Sequence, residues 1–263
     1  MISSNANGQI KELVKLQRQQ RQRKKSGLFV VEGAKLVAEA AEYGKLEKLY
    51  LAESVSGRED ERISHLLKHY PTELVSDSIF GEISDTVTPQ GVLGLAAMPV
   101  YETEDLLALP GKRFLLLDDL RDPGNLGTIM RTAEGAGMSA VILSKGSVEL
   151  FNPKVVRATM GAIFRVPYCY VESLPEIART LKSQEIPVFG TAMNGDILYD
   201  EPDYTEGAAI VIGNEANGIS EEMFAEVTEK LCIPMAGKLE SLNAAVSAAL
   251  IMYEMERQCR KKC

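Results

Sequence analysis

Ala208-Ala-Ile-Val-Ile-Gly-Asn-Glu-Ala-Asn-Gly218 places five apolar residues directly before a turn bracketed by Gly213 and Gly218. An unbroken apolar run of this length reads as a strand buried on both faces, the pattern of parallel sheets. Glycines at both ends of the turn let backbone amides come close to a ligand, and Glu215 between them could orient a hydroxyl or amine or simply decorate a loop. Ile219-Ser220-Glu221-Glu222 then opens a helix, with Ser220 as N-cap and acids in the first turn. Strand, glycine turn and helix start in this order predict a ligand site at the carboxyl end of a parallel strand.

Working outward, the same grammar repeats. Phe114–Leu117, Ala140–Leu143, Pro187–Ala192 and Leu231–Pro234 are further strand candidates. Helical segments are expected near Leu126–Ala136, Pro153–Met160, Leu174–Ser183 and Ser220–Val227, with a long final helix over Ser241–Arg260. The first hundred residues alternate more compactly. A helix is expected over residues 8–25, followed by strand Phe29–Val31, helix Gly33–Tyr43, strand Lys48–Ala52 and helix Arg58–His69, then strands Glu73–Val75 and Val92–Ala97. The acidic, proline-punctuated stretch Pro99–Gly111 reads as a linker. The expected architecture is α/β: a small N-terminal α/β domain over residues 1–105 and a mainly parallel sheet domain over 106–263.

Composition narrows the function classes. A formal net charge of −8 argues against a protein that coats nucleic acid over its whole surface. Yet Lys11, Lys15, Arg18, Arg21, Arg23, Lys24 and Lys25 face a single acid, Glu12, within one short segment. Such a local basic run suits phosphate contact, or else a solvated helix face. The four cysteines, Cys169, Cys232, Cys259 and Cys263, form no CxxC pair, which fits a reducing cytoplasm rather than a disulfide or zinc framework. His65 and His69 are spaced for one helix face but lack an apparent third ligand, so no metal is expected. No signal-peptide core or membrane-length apolar run is evident, and no membrane role is expected.

Two more joints carry unusual polar residues. In Asp118-Asp-Leu-Arg-Asp-Pro-Gly-Asn125-Leu-Gly-Thr-Ile-Met-Arg131, Asn125 is a candidate N-cap, and Arg131 projects from the following helix on the face of Thr128 and Glu134. An ordinary surface pair with Glu134 or Asp122 is the plain alternative for Arg131. The spacing Gly124-Asn-Leu-Gly127 is not the GxGxxG of a nicotinamide site. In Ile233-Pro-Met-Ala-Gly-Lys-Leu-Glu-Ser-Leu-Asn243, Ser241 is the expected helix cap, while Asn243 has poor helix propensity and needs another reason to stand there. Ser241 has neither a GxSxG elbow nor a histidine partner, which excludes a serine hydrolase.

Together these segments resemble the three motifs of the SpoU/TrmH family of RNA 2′-O-ribose methyltransferases, over residues 112–263. The matching residues are Asn125 and Arg131, then Gly213, Glu215 and Gly218, then Ile233-Pro-Met235 with Ser241-Leu-Asn243. Phe29-Val-Val-Glu-Gly33 and Thr88-Pro-Gln-Gly91 resemble the family's small substrate-binding domain. The resemblance implies a C-terminal deep trefoil knot, a homodimer, and S-adenosyl-L-methionine held by Thr191, Gly213, Ile233, Met235 and Leu242. It implies catalytic-site roles for Arg131, Asn125, Glu215, Ser241 and Asn243. The implied substrate is RNA, with 23S-type rRNA favoured over tRNA, and the basic segment Lys11–Lys25 as its phosphate contact. A non-catalytic RNA-binding paralogue in ribosome assembly and a doubly wound oxidoreductase are the competing readings; the second lacks its glycine fingerprint.

Overall fold

The computed structural model describes residues 1–57 and 61–261, apart from the side chains of 61, 62 and 261. Residues 58–60 of the expected Arg58–His69 helix, and Cys263, lie outside the described residues. The chain forms two compact units, Met1–Pro99 with Phe151–Phe164, and Val100–Leu150 with Arg165–Cys263.

The first unit begins with α1 (Gly8–Arg18) and α2 (Gln20–Ser26), followed by β1 (Leu28–Glu32), α3 (Ala34–Glu42), β2 (Leu46–Ala52), α4 (Glu61–His69), β3 (Thr72–Val75), α5 (Asp77–Ile83) and β4 (Val92–Ala97). Its sheet runs β1-β4-β2-β3, with β4 antiparallel to β1 and β2, and β3 parallel to β2. Asn7 caps α1 by accepting the Gln9 N–H at 2.8 Å, and Ile10, Leu13 and Leu16 bury their shared face against Val30, Tyr50, Val75 and Phe80.

The single helix expected over 8–25 is two helices, broken at Gln19 in extended conformation. The break takes from Leu16 and Gln17 carbonyls the N–H donors a continuous helix would supply. Arg23 replaces them: it is buried, and its guanidinium donates to Leu16 O and to Gln17 O at 2.9 Å. Arg23 is therefore a structural plug and not a surface phosphate contact. The other six basic residues of the segment, Lys11, Lys15, Arg18, Arg21, Lys24 and Lys25, are exposed.

The second unit opens with α6 (Thr103–Leu107), β5 (Arg113–Leu117), α7 (Pro123–Gly135) and β6 (Ala140–Ser144). The chain then contributes α8 (Pro153–Ala158) to the first unit before returning as β7 (Tyr168–Val171), α9 (Leu174–Ser183), β8 (Val188–Thr191), β9 (Ile197–Leu198), β10 (Ala208–Ile212), α10 (Glu221–Phe224), β11 (Glu229–Cys232) and α11 (Ala244–Lys261). Seven strands lie in the order β7-β6-β5-β10-β8-β11-β9, and every pairing is parallel. All five residues of β10 are buried, as the unbroken apolar run predicts. From β5 the chain winds outward through β6 to β7, then crosses to β8 on the other side, so β5 and β10 flank a switch point whose carboxyl-end crevice is the natural ligand position. Among the described residues no helix is long and apolar enough to cross a membrane.

The stretch read as a linker is packed structure instead. Leu106 on α6 is buried among Phe114, Ile142, Val171 and Leu174, and the compact units part at Pro99, so a boundary at 105 cuts through α6. Leu106→Ala is expected to cost about 2 kcal/mol, the low end for a buried leucine because a short peripheral helix can settle into the void. Urea unfolding would check this; an unchanged midpoint would mean that α6 is not part of the cooperative unit.

Candidate active site at the carboxyl ends of the parallel strands

Three strand exits meet in one hydrogen-bonded cluster. Leaving β5, the chain passes Asp118 and Asp119 and enters α7 through Asp122, whose carboxylate accepts the Asn125 N–H at 2.8 Å. Asp122, followed by Pro123 at the first helical position, is thus the N-cap that the sequence reading gave to Asn125. Asn125 sits inside the first turn, 8% exposed, which leaves its amide for longer-range work. Its Nδ2 donates to Glu215 Oε1 at 2.9 Å, and its Oδ1 accepts from Asn243 Nδ2 at 2.9 Å.

The β10 exit supplies Glu215. Asn214 and Gly218 exchange backbone hydrogen bonds at 2.9 Å each, closing a tight loop. The Asn214 carbonyl oxygen Oδ1 accepts the N–H groups of Ala216 (2.9 Å) and Asn217 (3.0 Å), while its Nδ2 donates to Asp119 O at 2.9 Å. Ser220 caps α10 as expected, accepting the Met223 N–H at 3.3 Å, and its own N–H donates to Asp118 Oδ2 at 2.8 Å. Glu215 accepts three donors: the N–H of Arg121 at 3.1 Å, the N–H of Asp122 at 3.0 Å, and the Asn125 amide. It therefore bolts the β10 loop to the start of α7.

Burial alone would raise the Glu215 pKa, but the Asn125 amide and the two backbone N–H groups outweigh it and hold the carboxyl below its ordinary range. A carboxyl lowered on folding stabilises the fold above its unfolded pKa of about 4.3, and the contribution is lost as pH falls through the lower folded value. Glu215→Gln is accordingly expected to lower stability at neutral pH, with the gap from wild type narrowing on acidification. Chemical unfolding at both pH values checks the sign; a gap that widens in acid would contradict it.

The third exit corrects one assignment and explains another residue. Helix α11 starts at Ala244, and Asn243 caps it by accepting the N–H groups of Ala245 (2.9 Å) and Val246 (3.3 Å). Ser241, expected as the cap, is exposed two residues earlier and makes no hydrogen bond among the described residues. One Asn243 side chain therefore starts α11 with its oxygen and grips Asn125 with its nitrogen, the reason a poor helix former stands there. Ala245 and Ala248 are buried, and α11 packs on α7.

Arg131 stands on α7, exposed, with no ion pair or hydrogen bond among the described residues. The surface-pair alternative fails on geometry: the Glu134 carboxylate is held by Arg165, with Nη2 to Oε2 at 3.0 Å, and Asp122 is occupied as a helix cap. Arg131 is thus a cation without a side-chain partner among the described residues, on a helix whose base is heavily tethered.

The residues implied for the cofactor lie at adjacent strand ends. Thr191 ends β8 and donates to Val211 O on β10 at 3.1 Å; Gly213 follows β10; Ile233, Met235 and Leu242, all half-buried, lie in the loop after β11. Residues 233–242 make no hydrogen bond or ion pair among the described residues, which leaves a run of main-chain donors and acceptors uncommitted. Such a run fits a ligand bound largely through backbone groups. The site thus assembles Asn125, Glu215 and Asn243 by direct bonds and carries Arg131 on the same helix, while Ser241 stays outside the network. Asp118, Asp122 and Asn214 are the supporting residues the sequence reading passed over; their signal was the density of Asx residues after β5 and β10.

A seven-stranded parallel sheet with helices between its strands is the α/β class of protein, and its polar cluster lies where such sheets place their ligands. The chain belongs to the SpoU rRNA methylase family, whose model matches residues 112–253; the model of the MRM3-like substrate binding domain matches residues 7–94. It is 33% identical over 255 residues to the 23S rRNA (guanosine(2553)-2′-O)-methyltransferase RlmP of Bacillus subtilis (strain 168), covering 97% of this chain and 98% of that one. The mitochondrial rRNA methyltransferase 3 of Homo sapiens is 32% identical over 295 residues, covering 90% of this chain and 69% of the human one. Among solved structures, the SpoU methyltransferase AviRb from Streptomyces viridochromogenes in complex with AdoMet superposes with a TM-score of 0.86 at 27% identity, over 96% of this chain and 98% of that one.

Proposed function

We propose that the protein transfers a methyl group from S-adenosylmethionine to a ribose 2′-hydroxyl of ribosomal RNA of the 23S type. The observation that carries this is the Asn125–Glu215–Asn243 network at the start of α7, the helix that also bears Arg131 with no side-chain partner among the described residues, together with the uncommitted backbone loop 233–242. Kinship to RlmP and to mitochondrial rRNA methyltransferase 3 supports rRNA as the substrate class.

Thr191, Gly213, Ile233, Met235 and Leu242 would hold the cofactor, which supplies an electrophilic methyl. The chain's own task is to place the hydroxyl in line and ease its proton away. A guanidinium stays protonated in proteins, so Arg131 is not the base. It binds the adjacent phosphate and lowers the hydroxyl pKa by its charge, and the proton leaves through phosphate or water. Asn125 anchors the Arg131 helix, and Glu215 and Asn243 keep it in register. Ser241, free and exposed, is available to the nucleotide. The first unit carries RNA-binding through Lys11, Lys15, Arg18, Arg21, Lys24 and Lys25.

We extend the reading to a C-terminal deep trefoil knot, a homodimer and a cytoplasmic location. The exposed apolar stripe Val246, Leu250 and Tyr253 along one face of α11 supports a second copy as its cover. The test is methyl transfer from labelled S-adenosylmethionine to unmodified rRNA and tRNA, with nuclease digestion and mass spectrometry of the nucleosides. A 2′-O-methylated nucleoside from rRNA is the expected product; cofactor-independent RNA binding with no transfer to either RNA would return the non-catalytic reading.

A further inference from the structure

The first unit contains a cavity of about 320 Å³ that the methyl-transfer chemistry does not use. This volume is at the lower end of the ~300–1,000 Å³ typical of small-ligand sites. Its walls come from three separated stretches: the β1–α3 junction, the loop leading into β4, and α8 with the residues just after it. Leu36 and Met160 give apolar surface, and Lys35, Glu39, Thr88, Gln90 and Arg157 give polar groups.

The polar groups are sorted by what they have left to offer. Glu32, at the base, accepts the Thr86 hydroxyl at 2.6 Å and the Asp85 N–H at 3.0 Å, besides Ser84, so its carboxylate is spent on holding the loop. Gln90 accepts the Ala34 N–H at 3.3 Å, which fixes its amide and leaves both Nε2 hydrogens without a partner among the described residues. Arg157 is tied through Nη1 to Asp85, which holds its guanidinium plane at the wall. Lys35 is exposed at the rim. The combination is a flat cation, a carbon-lined slot, an oriented amide donor and a rim ammonium.

We propose that this cavity receives an unstacked nucleobase of the RNA substrate, flanked by Leu36, Met160 and the Arg157 plane, with its edge acceptors on Gln90 Nε2 and its neighbouring phosphate at Lys35. Sequence-tolerant recognition of single-stranded RNA works by this division between stacking surface, edge donor and backbone cation. The six exposed basic residues of α1 and α2 belong to the same unit, which favours RNA over a free nucleotide as the source of the base. The inference rests on the RNA reading above, and binding readouts separate its failure from failure of methyl transfer.

The experiment titrates the full chain against a single-stranded oligoribonucleotide carrying one 2-aminopurine, followed by its fluorescence. Wild type is expected to change the signal. Gln90→Glu keeps the oxygen that accepts from Ala34 but replaces the donor with an acceptor, and is expected to weaken binding about tenfold. The same variant should raise KM for rRNA while leaving kcat unchanged. Independently, a 4-thiouridine oligonucleotide should cross-link to residues 33–36, 86–90 or 157–160. Unchanged affinity with cross-links elsewhere would overturn the site. Displacement of the oligonucleotide by AMP at equal concentration would overturn the RNA source and leave a free-nucleotide pocket. Normal methylation without cavity dependence sinks this inference alone, whereas cavity-dependent binding without methylation of any RNA sinks only the methyl-transfer reading.

Discussion

Arg131→Ala is expected to reduce the rate of 2′-O-methyl transfer by about 10²–10³-fold, the scale seen when one preorganised charge-stabilising donor is removed. Stability should barely move, since Arg131 is exposed and makes no ion pair or hydrogen bond among the described residues; surface changes of this kind stay within about 0.5 kcal/mol. The expected pattern is therefore a large kinetic loss on an intact fold, with cofactor affinity retained. Arg131→Lys keeps the charge but loses the planar fork that grips a phosphate through two bonds. It should recover part of the rate if the residue supplies charge beside the hydroxyl, and little if bidentate geometry is required. Because a guanidinium does not deprotonate in the working range, the pH–rate profile of wild type should carry no limb that vanishes in Arg131→Lys. Equal rates for wild type and Arg131→Ala in a single-turnover assay would remove this residue from the chemistry.

How much of this was legible beforehand depends on the range over which each signal acts. The strand Ala208–Ile212 and its glycine-bracketed turn were readable because burial on both faces leaves an unbroken apolar run, a property of five adjacent residues. β7 was not, since Tyr168-Cys-Tyr-Val171 is a run of only four residues, and β9 is two residues long. The α7 cap was misassigned because Asp122 and Asn125 are both cap formers three residues apart, and only the proline at the first helical position decides between them. The inward turn of Arg23 had no local signature within a basic run. The residue types of the site were visible, but the bond from Asn125 to Asn243 joins positions 118 apart, and periodicity carries no information over that distance. The cavity of the first unit is harder still, being assembled from three stretches of which one, α8, lies in the middle of the other unit's sequence.

Gly213→Ala should be the most damaging single-methyl change in the second unit. A Cβ built there would lie 2.2 Å from Gly218 C and 2.3 Å from Ile219 N, both main-chain atoms that cannot swing aside as a side chain would. The loop has little freedom to yield, because Asn214 and Gly218 exchange two backbone bonds at 2.9 Å and Glu215 is fixed by Arg121, Asp122 and Asn125. We expect a loss of about 3 kcal/mol or more, above the usual range for one overpacked methylene because backbone and not side chain must move. For a unit of this size that corresponds to a fall in Tm of about 6–12 °C. Gly218→Ala is the matched control. Its φ is +69°, but a Cβ there would meet nothing within 4 Å, so only the left-handed conformation is penalised, by about 1 kcal/mol. Calorimetry on the pair separates close approach from conformational strain: a much larger drop for Gly213→Ala locates the constraint in backbone contact, and equal drops would place it in conformation alone. In the first case methyl transfer should fall with stability in Gly213→Ala, since the atoms displaced are those that carry Glu215 to Asn125.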